Sequence, residues 1–414
     1  MVKSMMKRKA DRGKVNNSYT GWCHEKGSKP WLERINAECI SAEQFFNRYV
    51  RRRMPVILTS SNTECLRAFS PDALSSIVGH CKVAVERADP DSYQPFGRTD
   101  ASSRRNMRFS DFILRMRDDE LYCSTQPVPE DKHGPKCLTS PHVQGLIDRG
   151  MLPDHLPLMG NLIPYQINAW IGCSEDGSSS GYHHDFHDNF YMLLAGEKQF
   201  RIASPNFTSN RPTYGCKNNP DVLVHRNGLI SYEGNLIRED GARVKDVLKW
   251  KLSKNPENVE ELRYELEELE LDGMMKRMDS KDLDHSFPPS FCVQSTAHGE
   301  YITETLKAGE MLYLPASFFH EVVSFNSNST THHMAVNYWY YPPATGSTFD
   351  QPYEDDYWKE RWERLANEFI KTKRLDVGRM RRNKLPLSLI HSPKSVGKFI
   401  KRIQQYKLKL GPTD

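Results

Sequence analysis

Apolar and polar residues alternate along several short runs in the middle of the chain, a spacing typical of strands with one buried face. The runs cover residues 163–171, 181–185, 190–194, 198–203, 303–306, 311–314 and 334–341. The Ala-Gly-Glu segments at 195–197 and 308–310 separate neighbouring runs and are predicted to be turns. We predict a hairpin at the first of these turns. Many short strands with regular turns predict a mainly β fold of the sandwich or jelly-roll type.

Helical patterns flank these strands. Ser41 stands three residues before Gln44, which predicts a capping box at the start of a helix. The run 109–116 predicts a second helix with Ser110 as its N-cap. Residues 256–271 place Val and Leu on one face and Glu on the others, which predicts an amphipathic helix laid over the strands. The β fold is therefore expected to be surrounded by α-helices.

Changes in composition divide the chain into four regions. They are a flexible basic tail at 1–29, an α/β region at 30–158, a jelly-roll domain at 159–345 that contains a Glu-rich helical insert at about 205–300, and a basic helical region at 346–414. The α/β region is expected to pack on the barrel.

Overall composition is that of a globular protein, with 38% hydrophobic and 27% charged residues. No run approaches the roughly 18–20 apolar residues that span a bilayer, and the basic N-terminus lacks the apolar segment of a secretory signal. We therefore expect no membrane association. The nine cysteines are dispersed without a CxxC pair, which fits reduced thiols and a cytoplasmic or nuclear location.

Positive charge is concentrated near the C-terminus. Residues 357–409 carry 16 Lys or Arg against 4 Asp or Glu, although the net charge of the whole chain is only +4. This basic region is either a solvated helical face or a contact for nucleic acid, an acidic protein or a second subunit. Apolar residues follow helical spacing there and predict either a homodimer interface or a helix that packs back on the same chain. They are Trp358, Trp362, Leu365 and Phe369.

The segment 180–191 carries the strongest chemical signal. Residues two apart in a strand share a face, so His183 and Asp185 can bind one ion. A further histidine, His320, follows a strand that ends at Pro315. Two imidazoles and one carboxylate form the facial triad typical of non-haem Fe(II) oxygenases, and the absence of cysteine from both segments argues against structural zinc. The alternative is a hydrogen-bonded cluster without metal.

The residues around these positions resemble the core of the JmjC, or cupin-like, family of 2-oxoglutarate oxygenases. The matching motifs are His183-x-Asp185, Asn189 and Gly196-x-Lys198 in the first segment, then Gly309-x-x-Leu312-Tyr313-x-Pro315, His320 and Ala335–Tyr340 in the second. The chain is most similar to the small JmjC-only protein hydroxylases, over about residues 159–204 and 306–343. It departs from compact relatives in the long separation of Asp185 from His320, which the Glu-rich insert accounts for.

This resemblance implies a double-stranded β-helix in which His183, Asp185 and His320 bind Fe(II). It also implies a set of residues that hold 2-oxoglutarate. These are Lys198, which pairs with the distal carboxylate, the hydroxyls of Ser180 and Tyr122, and the amides of Asn189 and Asn337. Two histidines remain open: His187 either faces the substrate entrance or is exposed, and His333 lies in the barrel or on the surface, with the strand parity of Asn337.

The resemblance further implies hydroxylation of a protein side chain (Lys, Arg, Asn or His), with conversion of 2-oxoglutarate to succinate. Three alternatives stay open. The first is demethylation of N-methyl-lysine, which the lack of a Cys/His reader motif disfavours. The second is tRNA modification, with the basic C-terminus as the RNA contact. The third is a binding module without turnover, which the intact triad and Lys198 disfavour.

Overall fold

The computed structural model describes residues 16–24, 31–60, 64–87, 104–131, 134–206, 222–232, 237–254, 260–267 and 301–365. The strands are, in chain order, β1 (Asn16–Asn17), β2 (Arg34–Asn36), β3 (Val56–Thr59), β4 (Lys82–Arg87), β5 (Arg105–Arg108), β6 (Leu121–Tyr122), β7 (Glu130–Asp131), β8 (Gly134–Pro135), β9 (Pro164–Gly172), β10 (Ser178–Ser179), β11 (His183–His184), β12 (Asp188–Ala195), β13 (Glu197–Ala203), β14 (Val222–Val224), β15 (Ile230–Tyr232), β16 (Ile302–Lys307), β17 (Met311–Leu314), β18 (Phe319–Phe325) and β19 (His333–Tyr340).

The helices lie outside the strands that form the barrel. They are α1 (Ala42–Phe45), which continues as a π-helical turn at Phe46–Val50, α2 (Pro71–Val78), α3 (Phe109–Arg115), α4 (Pro141–Asp148) and α5 (Val244–Lys254), with short 3-10 segments at Ala37–Cys39, Glu64–Phe69 and Pro157–Met159. Residues 260–267 and 357–365 are also helical. No helix among the described residues is both long and apolar enough to cross a membrane.

Two sheets form the barrel. The larger has the order β2-β3-β17-β12-β19-β9, and the smaller has the order β10-β18-β13-β16, with β11 also paired to β18. One apolar cluster joins side chains of both sheets, such as Tyr191 and Leu193 of β12 with Phe200 and Ile202 of β13, so the sheets face each other. The prediction of a mainly β jelly roll surrounded by helices is confirmed.

The outer face of the larger sheet is covered by the N-terminal helices. Phe190 and Met192, which alternate with the inward residues of β12, pack in a second cluster with Phe45, Tyr49 and Phe112. Both faces of β12 are therefore apolar, and all eight of its residues are buried. This explains why its sequence is a nearly continuous apolar run instead of a clean alternation.

The predicted hairpin at Ala195–Glu197 is wrong. Strands β12 and β13 follow each other directly, yet they belong to different sheets. Gly196 turns the chain from one sheet to the other with φ of 77°, a conformation that favours glycine. A Cβ at this position would lie 2.5 Å from the carbonyl oxygen of Phe325 and 2.7 Å from Cβ of His333. The turn is a barrel corner, which local sequence does not distinguish from a hairpin.

The two predicted N-terminal helices are present, but only one has the expected cap. Ser41 and Gln44 form the complete capping box. Ser110 does not cap α3, whose N-cap is Arg108 without a side-chain hydrogen bond. The N–H groups of Phe109 and Ser110 donate instead to the carbonyls of Cys81 and Gly79, at 2.8 and 3.0 Å. Tertiary contacts thus satisfy the donors that a capping side chain would serve.

The insert contributes structure that its sequence did not predict. Strands β14 and β15 form a small sheet with β1, which pairs in parallel with β14. Residues 16–24 fall within the expected tail, yet Tyr19 is buried there and Trp22 stacks on Phe318 with ring centroids 6.0 Å apart. Of the predicted helix 256–271, residues 260–267 are helical and the rest lie outside the described residues.

The helix at 357–365 packs back on its own chain. Trp358 is 3% exposed and stacks on Tyr341 with ring centroids 3.5 Å apart. Arg361 lies over both rings, 5.1 Å from the centroid of Trp358 and 5.9 Å from that of Tyr341. Trp358 of this helix therefore packs on its own chain, and the homodimer interface stays a prediction. Phe369 and most of the basic region lie outside the described residues.

Candidate active site

Three side chains converge at one end of the smaller sheet. His183 on β11 is the direct register partner of His320 on the antiparallel β18, and their ring centroids are 4.3 Å apart. Asp185 follows β11, with Oδ2 3.8 Å from Nε2 of His320. The candidate ligand atoms of the three residues all lie within 4.8 Å of one another. Strand pairing thus brings together residues that are far apart in the sequence.

Backbone hydrogen bonds orient both imidazoles. Nδ1 of His183 lies 2.9 Å from the carbonyl oxygen of Gly181, and Nδ1 of His320 lies 3.0 Å from that of Phe318. A carbonyl only accepts, so each Nδ1 carries the proton and each Nε2 carries the lone pair. This arrangement is typical of metal-binding histidines, because the hydrogen bond fixes the tautomer and the ring orientation.

A buried ion pair holds the loop that leads to His320. Asp188 is fully buried and accepts hydrogen bonds from both terminal nitrogens of Arg53, at 2.9 and 2.6 Å, and from Tyr313 at 2.7 Å. Its carboxylate also accepts from the N–H of Ala316 at 2.9 Å. Asp188 therefore anchors this loop through its own side chain, although it lies only three residues after Asp185 in sequence.

The insert stabilises the same loop from the other side. Ser317 has φ of 63°, and its Oγ accepts a hydrogen bond from the N–H of Ile230 on β15 at 2.9 Å. Its own N–H donates to the carbonyl of Asp185 at 2.7 Å. These two bonds connect the insert, the loop that leads to His320 and the segment that contains Asp185. They compensate for the strained backbone conformation of Ser317.

Lys198 lies on the inner face of β13 without a carboxylate partner among the described residues. Its side chain is fully buried, and Nζ donates to Oγ of Ser324 at 2.6 Å and lies 5.8 Å from the ring centroid of Tyr122. Burial lowers the pKa of Lys198 to about 7, because its ammonium loses hydration with no anion to replace it. Tyr122 is also buried and hydrogen bonds with Ser324. The structure thus brings Lys198 and Tyr122 together.

Ser180 is not joined to this group. Its Oγ donates to the carbonyl of Gly181 at 3.1 Å and accepts from the N–H of Val322 at 3.0 Å. The register places Ser178, two residues earlier, in the same cross-strand row as Lys198 and Ser324. Oγ of Ser178 is buried and has no hydrogen-bond partner among the described residues. Ser178 therefore fits the hydroxyl role better than Ser180.

The two predicted amides contact each other on the larger sheet. Asn337 donates through Nδ2 to Oδ1 of Asn189 at 3.1 Å, and its own Oδ1 accepts from Nε1 of Trp170 at 2.9 Å. Both asparagines are buried. No direct hydrogen bond among the described residues joins this pair to the triad or to Lys198, so their part in holding 2-oxoglutarate stays a prediction.

Three polar residues of the barrel interior were missed or left open by sequence reasoning. Ser324 and Ser178 were missed, although Ser324 is four residues after His320 and so shares its strand face. For His333 the sequence left both a barrel and a surface position open, and the structure shows that it is fully buried.

His187 is neither exposed nor joined to the triad, because its ring stacks on Tyr165 with centroids 3.9 Å apart.

The residues present fit both groups that the resemblance implies. Two imidazoles and a carboxylate with converging donor atoms match the ligand preference of Fe(II) in oxygenases. A buried lysine that no described carboxylate neutralises, beside two hydroxyl-bearing side chains, matches one carboxylate of a dicarboxylic acid. Strand β18 contributes to both groups, because it carries His320 and Ser324 on one face.

A two-histidine, one-carboxylate site inside a jelly-roll barrel defines the class of non-haem iron oxygenases. Residues 42–346 match the family described as cupin-like domain. JmjC domain-containing protein 4 of Schizosaccharomyces pombe is 30% identical over an alignment that spans 82% of this chain and 90% of that protein. The chain therefore belongs to the cupin-like JmjC family of oxygenases.

Two further relatives carry names with a stated activity. The human bifunctional peptidase and (3S)-lysyl hydroxylase JMJD7 is 26% identical over 46% of this chain and 48% of its own length. The lysine-specific demethylase JMJ32 of Arabidopsis thaliana is 28% identical over 43% of this chain and 42% of its own length. These matches cover less than half of the chain and leave the individual reaction of this protein to be tested.

Lys198, Tyr122 and Ser324 together form what we call the recess around Lys198. Replacement of Gly172 with alanine tests this recess. The new Cβ would lie 2.6 Å from Cδ2 of Tyr122 and 2.9 Å from Cε1 of His333, so one of these buried rings must move. We expect a loss of about 1–3 kcal/mol in the free energy of unfolding and roughly tenfold weaker binding of 2-oxoglutarate, which corresponds to about 1.4 kcal/mol. Urea unfolding and calorimetric titration measure the two effects. Unchanged affinity would contradict the assignment of Tyr122 to this recess.

Proposed function

We propose that this protein is an Fe(II)- and 2-oxoglutarate-dependent oxygenase that hydroxylates a side chain of a protein substrate. The observation that carries this proposal is the pairing of a converged triad with a buried lysine that no described carboxylate neutralises. His183, Asp185 and His320 would hold the metal, and Lys198 would bind the distal carboxylate of 2-oxoglutarate. A fully buried lysine is costly unless an anion pairs with it, and the distal carboxylate would supply that anion beside the metal.

Iron and 2-oxoglutarate, when bound, supply the redox chemistry by which O2 yields succinate, CO2 and a hydroxylated substrate. One oxygen atom of O2 enters succinate and the other enters the substrate, so atoms and electrons balance. The protein's own residues fix the geometry. The Nδ1 hydrogen bonds of His183 and His320 hold both imidazoles in one tautomer, and Lys198 and Tyr122 define where an acid chain can end.

A protein substrate is supported by the lysyl hydroxylase activity in the name of one relative. The resemblance implies Lys, Arg, Asn or His as the modified side chain. Demethylation of N-methyl-lysine is a second candidate, because another relative is named a lysine-specific demethylase. That reaction also begins with hydroxylation, at the methyl carbon, and then releases formaldehyde.

The full chain with Fe(II), 2-oxoglutarate and O2 provides the test. Succinate formation is measured with and without a cell extract, and the extract proteins are then searched by mass spectrometry for peptides that gain one oxygen atom. The Asp185→Ala variant, treated identically, is the control for oxidation that the enzyme does not cause. We expect extract-stimulated turnover and an enzyme-dependent hydroxylated peptide.

Other products would redirect or overturn the proposal. Formaldehyde release from methylated peptides would support the demethylase candidate. Iron-dependent modification of tRNA would contradict a protein substrate and support nucleic-acid binding by the basic C-terminus, which should weaken steeply with salt. A wild-type protein that binds neither Fe(II) nor 2-oxoglutarate would be a binding module without turnover.

The affinity for 2-oxoglutarate should fall as pH rises above about 7. The pKa of Lys198 is lowered to about 7 by burial, and a bound carboxylate favours the charged ammonium and raises that pKa. Binding above pH 7 therefore takes up a proton, and the affinity can fall up to about tenfold per pH unit. Calorimetric titration in two buffers with different ionisation enthalpies counts the protons. Proton-independent binding from about pH 6 to about pH 9 would contradict a neutral Lys198 in the ligand-free protein.

A further inference from the structure

His333 is a buried polar residue to which the proposed chemistry gives no role. It begins β19 and is fully buried, and neither of its ring nitrogens has a hydrogen-bond partner among the described residues. An unsatisfied buried polar group costs about 1–3 kcal/mol, so most such groups in folded proteins have partners. The position of the ring indicates what its partner would be.

The ring of His333 belongs to the recess around Lys198. Alternate residues of β19 face the barrel interior, and His333 shares this parity with Ala335 and Asn337. Its ring centroid lies 5.7 Å from that of Tyr122, whose ring lies 5.8 Å from Nζ of Lys198. The ammonium of Lys198 is also close enough to His333 to contribute to the lowered pKa of its ring, after the larger effect of burial.

Two glycines make room for this imidazole. A Cβ on Gly172 would lie 2.9 Å from Cε1 and 3.1 Å from Nε2 of His333, and a Cβ on Gly196 would lie 2.7 Å from its Cβ. Contacts under 3.0 Å force neighbouring atoms to move. Gly172 thus lies against the ring and Gly196 lies against the Cα–Cβ bond of His333, so the side chain is closely packed at both points.

The chemistry of the recess favours an anion. A carboxylate has two oxygens with about four lone-pair sites that accept hydrogen bonds. One ammonium group cannot donate to all of these sites. Lys198 donates one of its hydrogens to Ser324, and Tyr122 is also bonded to Ser324. Burial and the nearby ammonium of Lys198 keep the pKa of His333 well below its ordinary value, so the ring stays neutral and carries one N–H donor.

We propose that His333 binds the distal carboxylate of 2-oxoglutarate by donating its ring N–H, beside the ammonium of Lys198. This inference rests on the proposed function, because it assumes that 2-oxoglutarate enters the barrel. It adds a recognition residue from the larger sheet to those of the smaller sheet, so the carboxylate would be held from both walls of the barrel.

Calorimetric titration of 2-oxoglutarate into the Mn(II)-loaded full chain tests this role. His333→Leu keeps the side-chain size and removes the donor, whereas His333→Gln keeps an N–H. We expect affinity to fall about tenfold to hundredfold for the leucine variant, since hydrogen bonds to charged groups contribute that much. The glutamine variant should recover most of the loss. His332→Leu is the matched control, because its ring contacts the carbonyl of Phe69 outside the recess.

A second ligand separates hydrogen bonding from packing. 2-Oxovalerate has the same carbon chain with a methyl group in place of the distal carboxylate. If His333 binds that carboxylate, His333→Leu should leave the affinity for 2-oxovalerate within about twofold of wild type while 2-oxoglutarate binds weakly. Equal loss for both ligands would show a packing role and overturn the inference.

Nuclear magnetic resonance of wild-type protein with 15N-labelled histidine gives a measurement independent of variant stability. Addition of 2-oxoglutarate to the Zn(II)-loaded chain, whose diamagnetic ion suits imidazole ligands, should shift the His333 ring N–H signal and slow its exchange with water. The signal is assigned by its loss in His333→Gln. An unchanged signal on a protein that binds 2-oxoglutarate would overturn the role of His333 and leave the proposed function intact. A wild-type protein that does not bind 2-oxoglutarate would overturn both.

Discussion

We expect the Asp185→Ala variant to bind Fe(II) at least about 100-fold more weakly than wild type, because loss of an outer hydrogen-bond partner alone costs 10- to 100-fold at metal sites. Asp185 is the only carboxylate in the converged set, and its Oδ2 lies 3.8 Å from Nε2 of His320. Without it two neutral imidazoles remain, and the cation loses its one charged ligand. Succinate formation should fall to the level of the enzyme-free reaction.

The measurement is a calorimetric titration with Mn(II) under conditions where iron oxidation does not interfere, followed by turnover with Fe(II). The control is Glu321→Gln. Glu321 is adjacent to His320 on β18, but its carboxylate points outward, where it bonds with Ser179 and Arg201. Its loss should leave metal affinity nearly unchanged. Equal metal binding by Asp185→Ala and wild type would refute the assignment of the metal site.

The Lys198→Met variant should be more stable than wild type and should bind 2-oxoglutarate much more weakly. Folding lowers the pKa of Lys198 from 10.5 to about 7, which is equivalent to several kcal/mol of destabilisation at neutral pH, since one pKa unit is about 1.4 kcal/mol. Methionine removes that cost and fills similar volume. We expect the free energy of unfolding of the ligand-free protein to rise by about 2–4 kcal/mol.

The pH dependence of this gain has a definite sign. The unfolded chain protonates Lys198 below about pH 10, whereas the folded chain does so only below about pH 7, so the penalty grows as pH falls between these values. The advantage of methionine should therefore be absent above about pH 10.5, increase toward pH 7 and stay constant below it. Urea unfolding at several pH values gives this profile. A variant less stable than wild type at pH 7.5 would contradict an uncompensated lysine.

Binding should change in the opposite direction. Removal of one partner of a buried charge pair costs about 2–5 kcal/mol, so 2-oxoglutarate should bind roughly 30-fold to several thousandfold more weakly. Arg201→Met is the matched control, because Arg201 lies on the same strand with its guanidinium outside, paired with Glu321 at 3.1 Å. Greater stability together with weaker binding would show that Lys198 is needed for binding although it lowers the free energy of unfolding.

The convergence of His183, Asp185 and His320 was predictable from sequence because its information is local. The spacing of His183 and Asp185 encodes a shared strand face, and His320 follows the strand Met311–Leu314, which the sequence pattern predicted. Lys198 was also placed correctly on the strand that follows the Gly196 turn. These features depend on alternation within single strands, which the order of residues records directly.

The remaining features depend on pairing between distant strands. The choice of Ser178 over Ser180 follows from the register of β10 with β18, which a serine-rich loop does not specify. The role of Gly196 as a corner depends on which sheet each neighbouring strand joins. His333 was ambiguous because its environment is formed by β6, β9 and β13, all remote in sequence. Contacts between distant strands determine these three features, and the pattern of residues within one strand does not record such contacts.

The placement of His320 and Ser324 on one short strand links the two halves of the proposed site. A slip of β18 by one residue against its neighbours would turn both side chains to the opposite face. The proposed metal ligand and the hydroxyl beside Lys198 would then be displaced in a single event. A chain with this register error should therefore lose metal binding and 2-oxoglutarate binding together, instead of one without the other.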